Sequence, residues 1–204
     1  GAEMAFRQAT AAIARLGDDP VLLADMWRAR ALGLREAGRW DEAVEAFDEA
    51  LRLLEDALPH DDLRVAWARV QHATVRAKMG NLDAALPALD AALQTFITVL
   101  GPRHPRVGKT YLMLGMALSS GGRLDDAHHA LRDALAVYEH VHGMQGARVT
   151  DVLNALASIE LEREGHEAAL GYAERALGIY GASGEPDDRA AWRALLFAAQ
   201  ATEA

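Results

Sequence analysis

Gly38-Arg-Trp-Asp-Glu-Ala43 returns as Gly80-Asn-Leu-Asp-Ala-Ala85 and again as Gly122-Arg-Leu-Asp-Asp-Ala127, each start 42 residues after the last, without a gap. A further step of 42 reaches Glu164-Gly-His-Glu-Ala-Ala169, where the glycine has moved one place to Gly165. Downstream the columns hold four times over, as Ala50, Ala92, Ala134 and Ala176 followed by Leu51, Leu93, Leu135 and Leu177. A fixed period of this length marks a chain built from one repeated supersecondary unit.

Within each period the apolar residues recur at helical spacing on either side of the glycine turn, so each unit reads as two amphipathic helices. Glycine suits the turn because a helix C-cap requires positive φ. The first helices are placed near 22–37, 63–79, 106–120 and 148–163, and the second near 40–57, 82–99, 124–141 and 166–180. Acidic residues open most second helices (Asp41 and Glu42, Asp83, Asp125 and Asp126), where the helix dipole favours negative charge. The chain divides into repeats at 22–58, 63–100, 105–142 and 147–181. Ala2, Phe6 and Ala9 reproduce the small, bulky, small spacing of Ala43, Phe47 and Ala50, so 2–16 reads as the second helix of a half-repeat, and 187–202 reads as a trailing first helix. All of it is expected to form one all-α domain over 1–204.

Composition agrees. The 204 residues include 43 Ala and 28 Leu, about a third of the chain, which favours helix. There is no Cys, which excludes disulfides and thiolate chemistry. A net charge of −9 argues against nucleic acid as the main partner, since phosphate contacts draw on clustered Lys and Arg. No run of about 18 apolar residues and no basic leader followed by an apolar segment appears, so a soluble, cytoplasmic chain without a membrane partner is expected. The sequence starts at Gly1 with its first Met at Met4, which reads as a cloning or processing boundary.

Small residues at fixed places let two antiparallel helices approach, with a bulky residue four positions on filling the next gap. This pattern resembles the tetratricopeptide repeat. The longer period and Gly101-Pro-Arg-His-Pro-Arg-Val107 are similar to the kinesin-light-chain-like subclass and its Gly-Pro-x-His-Pro-x-Val linker. The subclass motif Leu-Asn-Asn-Leu-Ala stands here as Leu153-Asn-Ala-Leu-Ala157 and, one unit earlier, as Tyr111-Leu-Met-Leu-Gly115. The resemblance implies a right-handed α-solenoid whose inner wall comes from the first helices. Carried over column by column, the inward residues are Asp25, Arg28, Leu32 and Arg35, then Trp67, Val70, Gln71 and Thr74, then Lys109, Leu112, Met113, Met116 and Ser119. Asp151, Asn154, Ser158 and Glu162 follow, and Arg193 after them. From these, Arg28, Arg35, Trp67, Val70, Thr74, Lys109, Leu112, Met116 and Asn154 are the candidate ligand-binding residues. Leu32 and Thr74 stand at the Asn columns of the chaperone-binding carboxylate clamp, so that clamp is missing.

Chemistry-bearing motifs are weak by comparison. Gly108-Lys-Thr110 lacks the glycine five places earlier that a phosphate loop needs, since Arg103 stands there. His128-His129 and His140-x-His142 do not share a helix face, as two ligands for one metal would. No catalytic constellation, metal set or cofactor is expected, and the chain reads as a non-enzyme. Arg69, His72 and Arg76 are anomalous: they occupy columns that hold Tyr111, Leu114 and Leu118 one unit later. Two readings are open, a rotated helix whose basic groups pair with carboxylates, or a basic stripe for an acidic ligand.

The expected function is a binding module for a protein or peptide segment with acidic and bulky apolar residues. A sensor domain from a multidomain signalling protein, in keeping with the GC-rich bacterial character of the Ala and Arg usage, and an oligomerisation scaffold are the alternatives. The trailing helix has little polar face, so a homodimer through Trp192, Leu195, Leu196 and Phe197 is also expected.

Overall fold

The computed structural model describes residues 4, 6, 8, 19–144, 146–183 and 188–203, with no side-chain description at 147, 182, 183, 188–192 and 203. Nine helices form among the described residues, and no strand. They are α1 (Pro20–Glu36), α2 (Trp40–Ala57), α3 (Leu63–Lys78), α4 (Leu82–Leu100), α5 (Pro105–Ser120), α6 (Leu124–His142), α7 (Ala147–Glu162), α8 (His166–Ser183) and α9 (Asp188–Glu203). The chain separates into two compact units, 1–95 and 96–204.

The repeated turn has one backbone solution. Gly38, Gly80 and Gly122 take φ of +73°, +82° and +72°, and in each case the next residue's N–H reaches back five positions to a helix carbonyl: Arg39 to Leu34, Asn81 to Arg76, Arg123 to Leu118. In the fourth repeat Glu164 holds that column at φ +61°, and Gly165 N–H donates to Glu160 O at 2.7 Å. The glycine displaced to 165 has its own cause: a Cβ there would run into the Glu160 carboxylate. The turn geometry is therefore kept at the column even where its glycine is not.

The helix starts are equally specific. Asp19 Oδ1 accepts from Val21 N at 2.9 Å, and Asp62 Oδ1 from Arg64 N at 2.8 Å. In the linker, Gly101 takes φ +86°, His104 Nδ1 accepts from Arg106 N at 3.1 Å, Pro105 fills the first helical position, and Val107 is buried. Gly101, His104, Pro105 and Val107 thus each have a job in starting α5.

In unit 1, α1 packs on α2 and α2 on α3. Phe47 is enclosed by Ala31, Ala43, Ala46 and Val75, and a second cluster joins Ala24, Leu51, Leu54, Val65 and Ala68. The Phe6 ring meets Trp27 edge-on at 4.8 Å, with the Arg30 guanidinium 4.5 Å above Phe6; the rest of the expected half-repeat at 2–16, apart from residues 4 and 8, lies outside the described residues. In unit 2, α5 packs on α6, α6 on α7, α7 on α8, and α9 closes against α7 and α8. Gly115 marks a close crossing of α5 and α6, since a Cβ there would lie 2.7 Å from Leu131 Cγ.

One sequence expectation changes on inspection. α4 is long and apolar enough to cross a membrane by length and composition, and 28% of its apolar window is buried within the protein. Its Ala content raises the mean hydropathy without any long run of bulky residues, and Ala85, Leu89, Ala92, Leu93 and Phe96 are buried within the protein.

Candidate ligand-binding surface

In unit 1 the anomalous basic residues are paired. Arg69 Nη2 lies 2.8 Å from Glu55 Oε1, and Arg76 Nη2 lies 3.2 Å from Asp48 Oδ1, so α3 is stitched to α2 by its cations. His72 is buried under Phe47; its Nε2 accepts from Arg76 Nε at 2.8 Å and sits 3.2 Å from Asp48 Oδ1. Burial pushes the His72 pKa below its ordinary 6.5; Asp48 and Glu55 oppose the shift and Arg76 adds to it. Of the two readings of this stripe, carboxylate pairing is the one the structure displays.

The unit 1 candidates are distributed as follows. Arg28 Nη2 pairs with Asp25 Oδ1 at 3.0 Å and its Nη1 donates to Gln71 Oε1 at 3.3 Å, joining α1 to α3. Arg35 approaches Glu36 at 3.8 Å. Trp67 is half-buried. Thr74 Oγ1 donates to the Val70 carbonyl at 2.7 Å. Val70 is 1% exposed, so it packs the core and offers no surface to a ligand.

Unit 2 contains a cavity of about 580 Å³ between α5, α7 and α9. α5 lines it with Lys109, Leu112, Met113, Met116, Ser119 and Ser120, and α7 with Asp151, Asn154, Ala155, Ser158 and Ile159. Leu131 contributes from below, and Arg193 and Phe197 from α9. Helical periodicity explains the grouping: positions i, i+3, i+4 and i+7 of each first helix share a face, and the 42-residue period brings the same face of three helices together. Lys109, Leu112, Met116 and Asn154, expected from the sequence to contact a ligand, all line it. Met116 is 52% exposed, while Asn154 is buried and donates from Nδ2 to Tyr180 Oη at 3.4 Å. Phe197 and Ala155 were not singled out by column transfer; both follow Met113 at successive intervals of 42. Gly108-Lys-Thr110 lies inside α5 as a packing element, with Gly108 against Val137 and Tyr138 and Thr110 Oγ1 donating to Arg106 O at 2.8 Å.

Behind α7 is a second polar network. Glu160, 6% exposed, lies 2.6 Å from Arg163 Nη1 and 3.1 Å from His128 Nε2, and Arg163 Nη2 reaches Asp125 at 2.8 Å. Burial lowers the His128 pKa from 6.5; Glu160 opposes the shift, and Arg163 reinforces it. On α9, Leu195 and Leu196 are 49% and 54% exposed, Ala194 is buried, and the Trp192 side chain lies outside the described residues.

A helix-turn-helix unit repeated every 42 residues, with a ligand-sized cavity on the faces of its first helices, defines a helical-repeat scaffold. Sequence profiles described as tetratricopeptide repeat match residues 24–57, 64–140 and 112–186. The chain belongs to the tetratricopeptide-repeat family. Among solved structures it is similar to BtubC (BKLC) from P. vanneervenii, at 18% identity and TM-score 0.81 over 99% of this chain and 80% of that one. It is also similar to a protein described as a Podosopora anserina kinesin light chain with nearly identical TPR-like repeats, at 16% identity and TM-score 0.77 over 90% of this chain and 87% of that one. A third is MamA 41-end from Desulfovibrio magneticus RS-1, at 19% identity and TM-score 0.66, covering 90% and 88%. No curated protein matches the chain in sequence. At these identities the likeness speaks for the fold. The repeat family supplies the coarse function, a protein–protein interaction module of a class that is typically non-catalytic.

Proposed function

We infer that the chain captures a peptide segment of a protein partner in the cavity between α5, α7 and α9. The observation that carries this is the mixed lining of that one recess: Met113, Met116 and Phe197 offer apolar contact beside Lys109 and Arg193. Met and aromatic residues in a concave site favour an apolar anchor, and rim cations select for carboxylates. In unit 1, Trp67, Arg28 and Arg35 are further candidates of the same chemistry. The test is selection of a random peptide library on the whole chain, followed by binding to Met116→Glu and Trp67→Ala variants. Enrichment of acidic, apolar peptides that Met116→Glu weakens about tenfold or more supports the reading. Failure to enrich any peptide refutes it, and unchanged binding by Trp67→Ala removes Trp67 from the site.

A second reading, self-association through α9, has its own support in the exposure of Leu195 and Leu196. Sedimentation across concentrations, with and without Leu196→Glu, tests it. A monomer at every concentration rules it out.

A further inference from the structure

We propose that Ala155 sets the selectivity of the α5–α7–α9 cavity by leaving a recess for one bulky apolar side chain of an extended, acidic segment; this rests on the peptide-binding reading above. Three residues 42 apart occupy equivalent places on the three helices: Met113, Ala155 and Phe197. The outer two are bulky and the middle one is a methyl group. On α7 the other cavity-lining residues are Asp151, Asn154 and Ser158, which are small or polar, and Ile159, which is buried at 2% exposure and forms the floor. The middle helix is thus a notch between two apolar shoulders. A cavity of about 580 Å³ has room for a large side chain together with the chain that carries it.

Charge decides the rest of the occupant. The neighbouring column reads Lys109, Asp151, Arg193. Arg193 is exposed and pairs with no carboxylate among the described residues, so the α9 side of the notch is open to an anion. Helices in contact pack about 8–10 Å apart, and an extended chain advances about 3.3 Å per residue. A ligand carboxylate at Arg193 therefore falls about three residues from the side chain in the notch.

The probe is fluorescein-labelled Gly-Ser-Trp-Gly-Ser-Asp-Ser, titrated against the whole chain by anisotropy. Binding should fall at least tenfold in Ala155→Phe, stay within about twofold in Ala155→Ser, and fall when the probe's Trp becomes Ala. Arg193→Glu should reverse the preference between the Asp probe and its Asp-to-Lys version. Circular dichroism and urea midpoints establish that each variant is folded, and Ser158→Leu narrows the same recess from another position if Ala155→Phe does not fold. Equal affinity in wild type and a folded Ala155→Phe or Ser158→Leu overturns the inference. So does a probe that fails to bind while the random library yields binders, in which case the peptide reading stands. If the library also yields none, both fall.

Discussion

Gly115 and Gly171 are both glycines inside helices of the second unit, and the same substitution by alanine should stabilise at one and not at the other. At Gly171, on the exposed side of α8, nothing lies within 4 Å of an added Cβ. There the change relieves the helix-propensity cost of glycine and should stabilise by about 1 kcal/mol. Gly115 gains the same propensity, but its Cβ would lie 2.7 Å from Leu131 Cγ, 2.9 Å from Leu131 Cδ2 and 3.2 Å from Ala127 O. Leu131 is fully buried, so its branch point cannot simply swing into solvent. Overpacking of this kind costs about 1–3 kcal/mol, which leaves Gly115→Ala neutral to about 2 kcal/mol destabilising once the propensity gain of about 1 kcal/mol is included. The two variants should therefore differ by about 1–3 kcal/mol, or several degrees in Tm at about 2–4 °C per kcal/mol for a chain of this size. Urea unfolding followed at 222 nm measures both, and because both sites lie in the same unit, the same transition reports them. The equivalent positions Ala31, Ala73 and Ala157 carry alanine without exposure, so the effect belongs to this crossing and not to the column. Combining Gly115→Ala with Leu131→Ala should cost less than the sum of the two single variants, a coupling of about 0.5–3 kcal/mol. Equal stabilisation by Gly115→Ala and Gly171→Ala would refute the close approach.

Other expectations follow from the polar networks and turns. His72 and His128 are held neutral by burial, below their ordinary pKa of 6.5. The unfolded chain therefore takes up protons first as pH falls, and their stability contribution, complete above about pH 6.5, is lost on acidification below it; a His72→Gln, His128→Gln double variant should flatten urea midpoints between about pH 5 and 6.5, and an unchanged slope counts against the assignment. His72→Leu places the residue of the Leu114 column against Phe47 and leaves Arg76 its Asp48 partner; replacing a buried polar contact this way should stabilise by about 1 kcal/mol, with a loss of stability as the contrary result. At the repeated turn, Gly122→Ala should cost about 1 kcal/mol and Glu164→Gly gain a similar amount, because an L-residue at positive φ is strained and glycine is not. A gain from Gly122→Ala or a loss from Glu164→Gly would show that the columns are not equivalent.

The turns, the helix pairs and the family were legible in the sequence because they are local and repeated. Gly38, Gly80 and Gly122 announce a positive φ wherever they stand, and His104-Pro105 announces a helix start by its own hydrogen-bonding and ring geometry. Repetition then multiplies a weak local signal fourfold. The 42-residue register was also enough to place Lys109, Leu112, Met116 and Asn154 on one surface, since residues at equal phase in stacked helices share a face. Whether a side chain on a helix face meets solvent or core was not legible there. Val70, Leu112 and Asn154 share one phase and are all closed off by their neighbours, whereas Met116, one turn on from Leu112, is open to solvent, and the cations at Arg69, His72 and Arg76 found carboxylates on α2 that no spacing within α3 specifies. Depth likewise belongs to the tertiary structure: the recess at Ala155 exists only because Met113 and Phe197 stand beside it on other helices, and Gly165 is needed only because the Glu160 carboxylate occupies the space a methyl would take. Phase along a helix is a property of one segment, whereas burial, charge pairing and cavity shape depend on which side chains the neighbouring segments bring against it.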